Sequence, residues 1–361
     1  MFLTPSQFRD IVSGRRRGPL MMLLRGGLSV VSFFYAIAMR LRNRRYDRGS
    51  ARIGQAGAPV ISVGNLTLGG TGKTPMVEWI CRQLRAEGLR VAILSRGYGA
   101  EATGANDEAL ELENRLPDVP HLQNPDRLAA AAVAVEELDM QVLVLDDAFQ
   151  HRRIARDLDL VMLDALEPLG FGRVFPRGTL REPASGLRRA DVLVLSRADM
   201  VEEDAPASIR RRATELAPDA LWVETSHGPK SLVDYRGTQS PLTQLADKRL
   251  AAFCGIGTPE GFRHTLAACG LEPVDLREFP DHHAYDRADV ASLAAWAEEI
   301  QAEALVCTEK DLVKLGVGEL GGRPLLAVRI GLDILQGEDE LIKRLATVMQ
   351  RVVGHEEATD Q

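Results

Sequence analysis

Val60-Ile61-Ser62-Val63, continuing through Gly64-Asn65-Leu66-Thr67-Leu68 into Gly69-Gly70-Thr71-Gly72-Lys73-Thr74, is the stretch on which the fold turns. An apolar β-branched run, a glycine-rich turn and a helix opening at Thr74 stand in the order of a phosphate-binding loop. Glycines let backbone N–H groups turn inward around phosphate oxygens, and the helix N-terminus adds positive potential. Gly69, Gly70, Thr71 and Gly72 are the expected cradle. Lys73 is spaced to reach β- and γ-phosphates, and Thr74 to hold Mg²⁺ through its hydroxyl. The first glycine of the common G-x-x-x-x-G-K-[ST] pattern falls on Thr67, and Gly69-Gly70 replace it as the flexible pair.

Such a loop needs a carboxylate for Mg²⁺ at the end of a neighbouring strand. Val142-Leu-Val-Leu145 runs straight into Asp146-Asp147, which is that arrangement. Gln150 and His151 follow closely and are further candidates for the site.

Outward from this core, short apolar runs alternate with helical stretches. Strands are expected at Pro59–Val63, Arg90–Leu94, Gln141–Leu145, Leu158–Leu163 and Val192–Leu195, and helices at Thr74–Glu87 and Asp126–Leu138. Fully apolar strands between helices predict a doubly wound, mostly parallel α/β sheet covered on both faces. Residues 225–248 are rich in Gly, Ser, Thr and Pro and read as a linker. A smaller α/β set follows, with strands at Leu250–Cys254, Pro273–Phe279, Ala304–Cys307 and Pro324–Val328, and a frayed tail from Gly354. The expected division is 1–50 as a basic apolar anchor, 51–235 as the P-loop core and 236–361 as a smaller C-terminal α/β domain.

The 361 residues exceed one ordinary core, and 45% hydrophobic with 26% charged residues is a folded composition. Cys81, Cys254, Cys269 and Cys307 form no Cys-x-x-Cys motif and read as reduced thiols. The net charge of −7 hides an asymmetry: residues 1–50 hold ten Arg against Asp10 and Asp47. That basic end frames an apolar run, Gly26 to Met39, of fourteen uncharged residues. As a helix it would be about 21 Å long, short of a roughly 30 Å hydrocarbon core. A helix lying in one leaflet, with both flanks on anionic headgroups, fits this pattern. A signal peptide cleaved near Ala36-Ile-Ala38 is opposed by the arginines just downstream. A buried domain helix is the other reading. Nucleic acid is not expected as a partner, since no basic-aromatic stacking pattern accompanies the arginines.

Gly64-Asn-Leu-Thr67 with Gly69-Gly70-Thr-Gly-Lys-Thr-Pro75 resembles the signature of the tetraacyldisaccharide 4′-kinases, the lipid A kinases of Gram-negative bacteria. Ser95-Arg-Gly-Tyr-Gly99, Asp146-Asp-Ala-Phe-Gln-His-Arg152, Leu180-Arg-Glu-Pro183, Gly255-Ile-Gly257, Phe279-Pro-Asp-His282 and Thr308-Glu-Lys-Asp311 are similar to further elements of that family. Ala148 replaces a family glycine, and a short insertion leaves Asn106-Asp107-Glu108-Ala109 as the nearest match to its Gly-Asp-Glu-Pro element. The resemblance implies transfer of the ATP γ-phosphoryl group to the 4′-hydroxyl of a tetraacylated glucosamine disaccharide 1-phosphate, giving lipid IVA. It implies a membrane-associated enzyme at the cytoplasmic face of the inner membrane, with no obligatory protein partner. Asp107 and His282 are implied as catalytic residues beside Lys73, and Thr74, Asp146 and Glu182 at Mg²⁺. The competing class is a P-loop NTPase switch of the partitioning or metallochaperone type. Ser196-Arg-Ala-Asp199 is weakly similar to a guanine-reading motif, but no Cys/His cluster would serve a metallochaperone.

Overall fold

The computed structural model describes residues 5–97, 107–281 and 283–359. The strands are β1 (Val60–Asn65), β2 (Val91–Ser95), β3 (His121–Gln123), β4 (Val142–Asp146), β5 (Leu158–Asp164), β6 (Val192–Ser196) and β7 (Leu221–Val233), then β8 (Gln239–Ser240), β9 (Leu250–Cys254), β10 (Asp275–Glu278), β11 (Ala304–Thr308), β12 (Glu319–Leu320) and β13 (Arg323–Gln336). The helices are α1 (Pro5–Ser13), α2 (Pro19–Asp47), α3 (Lys73–Ala86), α4 (Asp107–Arg115), α5 (Arg127–Ala132), α6 (Ala205–Leu216), α7 (Pro259–Ala268), α8 (Arg287–Glu299), α9 (Glu309–Leu315) and α10 (Glu338–Thr359).

One sheet runs through the molecule in the order β10-β9-β11-β13-β7-β6-β5-β1-β4-β2-β3. Neighbours along it are parallel except at one seam, where β7 and β13 run antiparallel. Two parallel half-sheets are thus joined back to back. Alternate side chains of β1, β5 and β6 enter different cores. Ile61, Leu160 and Val192 pack with α3 and α10, while Val161 and Leu193 pack on the opposite face. Strands buried on both faces leave no room for polar alternation, hence the unbroken apolar runs.

Residues 225–248 hold most of β7, and β8 pairs with it, in place of the expected linker. β7 begins against β6 and continues past it to pair with β13, from Glu224↔Gln336 to Val233↔Ala327. This ribbon joins the halves. α10 runs to Thr359, past the point where fraying was expected. Its Leu341, Leu345, Val348 and Val352 return to the core of the first half. The expected helix at Asp126–Leu138 is α5 followed by a π-helical turn, Val133–Glu137, with the Asp126 carboxylate capping Leu128 and Ala129 N–H.

α2 is longer than its apolar run and lies against the first half. Only Ser32 and Ala36 of it are buried, so it is not an ordinary core helix. Leu23, Val30, Val31, Phe33 and Phe34 are exposed. It is one helix long and apolar enough to cross a membrane by length and composition.

Candidate active site

β1 delivers the chain to the loop, and three later segments fix it there. Arg181 N–H donates to Leu66 O and Leu68 N–H to Thr179 O, each at 2.8 Å, which zips residues 179–181 alongside. Ser196 Oγ donates to Thr71 O at 2.9 Å, and Arg197 Nη2 to Gly70 O at 2.7 Å. Arg197 is itself held by Asp164 at the end of β5. With its outward carbonyls tied back, the loop is left to aim N–H groups at an anion. The Ser196-Arg197 pair, weakly similar to a guanine reader, thus works as a brace for the loop.

Gly72, with φ 78°, caps α3 in the left-handed region. A Cβ there would come within 2.7 Å of the His227 imidazole on β7. His227 Nε2 is shielded without a hydrogen-bond partner. Burial first, then Arg197, pulls His227 down to about 4, so the ring is neutral at pH 7.

Lys73 and Thr74 are each 9% exposed at the start of α3. Parallel pairing sets Asp146, 5% exposed, beside Val63 at the end of β4. Thr74 and Asp146 are hard oxygen donors. Among the described residues no group of three or more His, Cys, Asp or Glu could hold a metal. That set fits Mg²⁺, which takes one or two protein carboxylates and keeps several waters beside substrate phosphates.

Asp147 follows in the left-handed region, with φ 50°. Its Oδ1 lies 3.5 Å from Lys73 Nζ, and Arg181 Nη1 donates to both oxygens at 2.8 and 2.9 Å. Burial alone would raise the carboxyl, but Lys73 and Arg181 outweigh it and hold Asp147 below the usual range. The chain then crosses β1, where Phe149 stacks so closely that a Cβ on Gly64 would lie 2.6 Å away. Gln150 Nε2 donates to Asn65 O at 2.9 Å and to Glu182 Oε1 at 3.3 Å. Burial, then Arg127, Arg156, Arg153 and Arg42, lower His151 to about 4.

Glu182, implied at Mg²⁺, is 1% exposed and surrounded by donors. Arg189 donates to both its oxygens at 2.8 and 3.1 Å, and Asn43 Nδ2 of α2 donates to Oε2 at 2.5 Å. A cation would have to displace one of them, so the geometry makes Glu182 the anchor of α2. Arg42 Nη2 adds a bond to Gln150 O at 2.7 Å, and Tyr35 Oη one to Arg181 O at 3.1 Å. Asp107 is the first residue of α4. The Asp107 side chain and all of His282 lie outside the described residues. Sequence reasoning missed Arg181, Arg189, Asn43 and His227. Arg181 alone had a signal, since it stands within Leu180-Arg-Glu-Pro183.

A braced phosphate loop, a lysine held over a strand-end carboxylate and an exposed apolar helix tied to the same loops define a P-loop phosphotransferase. A family model described as "Tetraacyldisaccharide-1-P 4'-kinase" matches residues 24–350. A tetraacyldisaccharide 4′-kinase of Anaeromyxobacter sp. (strain Fw109-5) is 40% identical over 94% of this chain and 95% of its own length. One of Anaeromyxobacter dehalogenans (strain 2CP-C) is 41% identical over 92% of each chain. The crystal structure of Aquifex aeolicus LpxK in complex with ATP aligns with a TM-score of 0.71 at 29% identity, covering 90% of this chain and 99% of that one. The chain belongs to the tetraacyldisaccharide-1-P 4′-kinase family. The NTPase-switch reading is thereby set aside.

Proposed function

We propose the following division of labour for ATP-dependent phosphorylation of the 4′-hydroxyl of a tetraacyldisaccharide 1-phosphate, with lipid IVA as product. The Gly69–Gly72 amides and α3 N-terminus hold the phosphates, and Lys73 offsets charge on the migrating phosphoryl group. Thr74 and Asp146 would hold Mg²⁺, which would supply positive charge to offset that of the phosphates. Asp147 and Arg181 keep the lysine in place. Asp107 takes the proton of the attacking hydroxyl, and His282, from the 236–361 unit, orients Asp107 when that unit closes on the 51–235 core.

α2 puts this site at an acyl-lipid surface on the cytoplasmic face of the inner membrane. Its exposed apolar residues meet acyl chains, and its arginines meet anionic headgroups. The observation that carries the reading is the tie between α2 and the site: Asn43 to Glu182 and Arg42 to Gln150, four residues or fewer from the strand-end carboxylates or in contact with their partners. The test is incubation with ATP and tetraacyldisaccharide 1-phosphate in detergent, read by mass spectrometry. One added phosphate on the distal sugar is expected, and ATP hydrolysis with an unmodified sugar would refute the reading.

A further inference from the structure

α1, a nine-residue helix that precedes the family-matched residues 24–350, is docked beside the phosphate loop. Ile11 and Val12 are buried, Arg177 Nη1 donates to Val12 O at 2.8 Å, and the Phe8 and Phe175 rings lie 5.9 Å apart. From α2, Arg25 Nη1 donates at 2.9 Å to Arg16 O, in the turn between the two helices. A short helix tied down in this way orders the side chains it carries. Toward the loop it carries Arg9. A Cβ on Gly69, the first glycine of the expected cradle, would lie 2.8 Å from Arg9 Nη2. Any side chain at position 69 would have to displace the guanidinium.

The segment that holds α1 also flanks the loop on the side of the Lys73–Asp147 pair. Leu68 N–H donates to Thr179 O, Thr179 Oγ1 donates to Glu167, and Arg181 reaches Asp147. Arg9 lies against Glu167 and so approaches Gly69 from this side. The brace at Gly70 and Thr71 comes instead from Ser196 and Arg197. The neighbouring arginines are closely matched: Arg181 binds both oxygens of Asp147, and Arg197 is held by Asp164. Arg9 is not. Among the described residues its one acidic partner is Glu167, 3.9 Å from Nε, beyond hydrogen-bond reach, and 41% of its side chain is exposed. A guanidinium presents five donors in a planar fork that matches phosphate oxygens.

We infer that Arg9 contacts the terminal phosphate of ATP and acts as a second side-chain cation, beside Lys73, on the migrating phosphoryl group. The inference rests on the kinase reading above and adds a catalytic residue to it. In the transfer the bond from the γ-phosphorus to the β–γ bridging oxygen breaks, and ADP keeps the electron pair. The acceptor oxygen forms the new bond and gives up its proton to the base. Charge on the transferred group's three outer oxygens must be offset throughout, and an arginine placed there stabilises the transition state. Lys73 shares its charge with Asp147, whereas Arg9 has no partner so close. Docking of α1 thereby completes the phosphate site.

The test compares wild type, Arg9→Gln and Arg9→Lys, all as full chains, in nucleotide binding and in turnover of micellar acceptor. With Mg²⁺ present, Arg9→Gln should weaken binding of the non-hydrolysable analogue AMP-PNP fivefold or more and leave ADP binding unchanged, because only the former has a third phosphate. Unchanged ADP binding also certifies the fold. In micelles kcat should fall tenfold or more, and Arg9→Lys should recover part of it, having the charge without the fork. Wild-type AMP-PNP affinity and kcat in Arg9→Gln would overturn the inference. So would an equal loss for ADP and AMP-PNP, which would make Arg9 a structural prop of the loop. Unchanged micellar kinetics with lost flotation on phosphatidylglycerol vesicles would also overturn it, assigning Arg9 to lipid headgroups. If wild type transfers no phosphate to the acceptor while Arg9→Gln still separates AMP-PNP from ADP, the kinase reading fails and the Arg9 contact stands.

Discussion

Lys73 Nζ and Asp147 Oδ1 lie 3.5 Å apart, and Arg181 clamps the same carboxylate from the other side. The P-loop lysine is therefore positioned by the second acid of the Asp146-Asp147 pair, while Asp146 closes β4 beside the loop. An ammonium has three donors, so it can keep Asp147 while engaging phosphate. Left-handed backbone at a non-glycine costs on the order of 1 kcal/mol, and the two cations hold Asp147 in it.

Removing that ammonium should remove transfer. Lys73→Ala is expected to lower kcat roughly 10²–10³-fold, the loss that follows removal of one preorganised transition-state donor. Protein-bound ATP, measured separately, should fall less than kcat. Near wild-type turnover would show that the nucleotide binds elsewhere.

Asp147 also predicts a pH dependence of stability. Its folded-state carboxyl titrates below the ordinary value of 3.8. The ionised form is therefore favoured by folding. That contribution is fully present above the unfolded value and is lost as pH falls through the folded one. Asp147→Asn tolerates the same left-handed backbone and deletes only the charge. Denaturation midpoints of wild type and variant should differ most near neutral pH and converge as pH drops below about 4. A gap constant down to pH 2 would contradict this.

A second buried cation ties the two halves together. Arg115, at the end of α4, contacts Glu78 of α3, Glu111 of its own helix and Glu309 of α9. Glu309 also holds Arg329 of β13. Burial raises the Glu309 carboxyl, and the two arginines counter it. Arg115→Met leaves three shielded carboxylates without their shared partner and should cost about 3–5 kcal/mol in chemical denaturation. A loss under 1 kcal/mol would mean that water takes the place of the guanidinium.

The first half was legible because its strands are apolar on both sides: β1, β4, β5 and β6 fall where the runs predicted. The ribbon was not. Beyond Val223, β7 reads Glu224-Thr-Ser-His-Gly-Pro-Lys-Ser, and its residues from His227 to Ser231 are no more than half-buried. A polar run interrupted by Gly228-Pro229 and with Lys230 exposed carries little periodic signal. In the site, the loop and strand-end acids announced themselves through local spacing. The Asn43–Glu182 bond joins residues 139 apart in sequence, and no local pattern encodes it. The same bond changed the reading of Glu182 from metal ligand to helix anchor.

That anchor separates two roles of α2. Phe33 and Phe34 are 59% and 64% exposed, whereas Asn43 faces the site. Phe33→Ser/Phe34→Ser should shift the protein from membrane to soluble fractions, leaving turnover of micellar substrate near wild type. Deleting residues 1–50 should also impair turnover in micelles, because Glu182 and Gln150 lose their α2 partners. If the double serine variant still sediments fully with membranes, the binding surface lies elsewhere.

The remaining question is which group takes the acceptor proton. A sugar hydroxyl is a poor nucleophile at neutral pH, so a base helps at the moment of attack. Asp147 is a weak candidate, since Lys73 and Arg181 stabilise its charge and reduce its basicity. His151 and His227, both near 4, are neutral but too weakly basic to gain much from proton transfer at pH 7. We therefore propose Asp107, the first residue of the helix that follows β2 in the chain, since ligands of such sheets bind beyond the carboxyl ends of the strands. Asp107→Asn and His282→Ala should each lower kcat roughly 10²-fold or more with little change in ATP KM, and the double variant should be only slightly worse than the worse single one. A base acting alone gives multiplicative losses, so a double variant near 10⁴-fold would separate the two residues. If Asp107→Asn raised ATP KM at unchanged kcat, Asp107 would bind nucleotide, and the proton would pass to another acceptor.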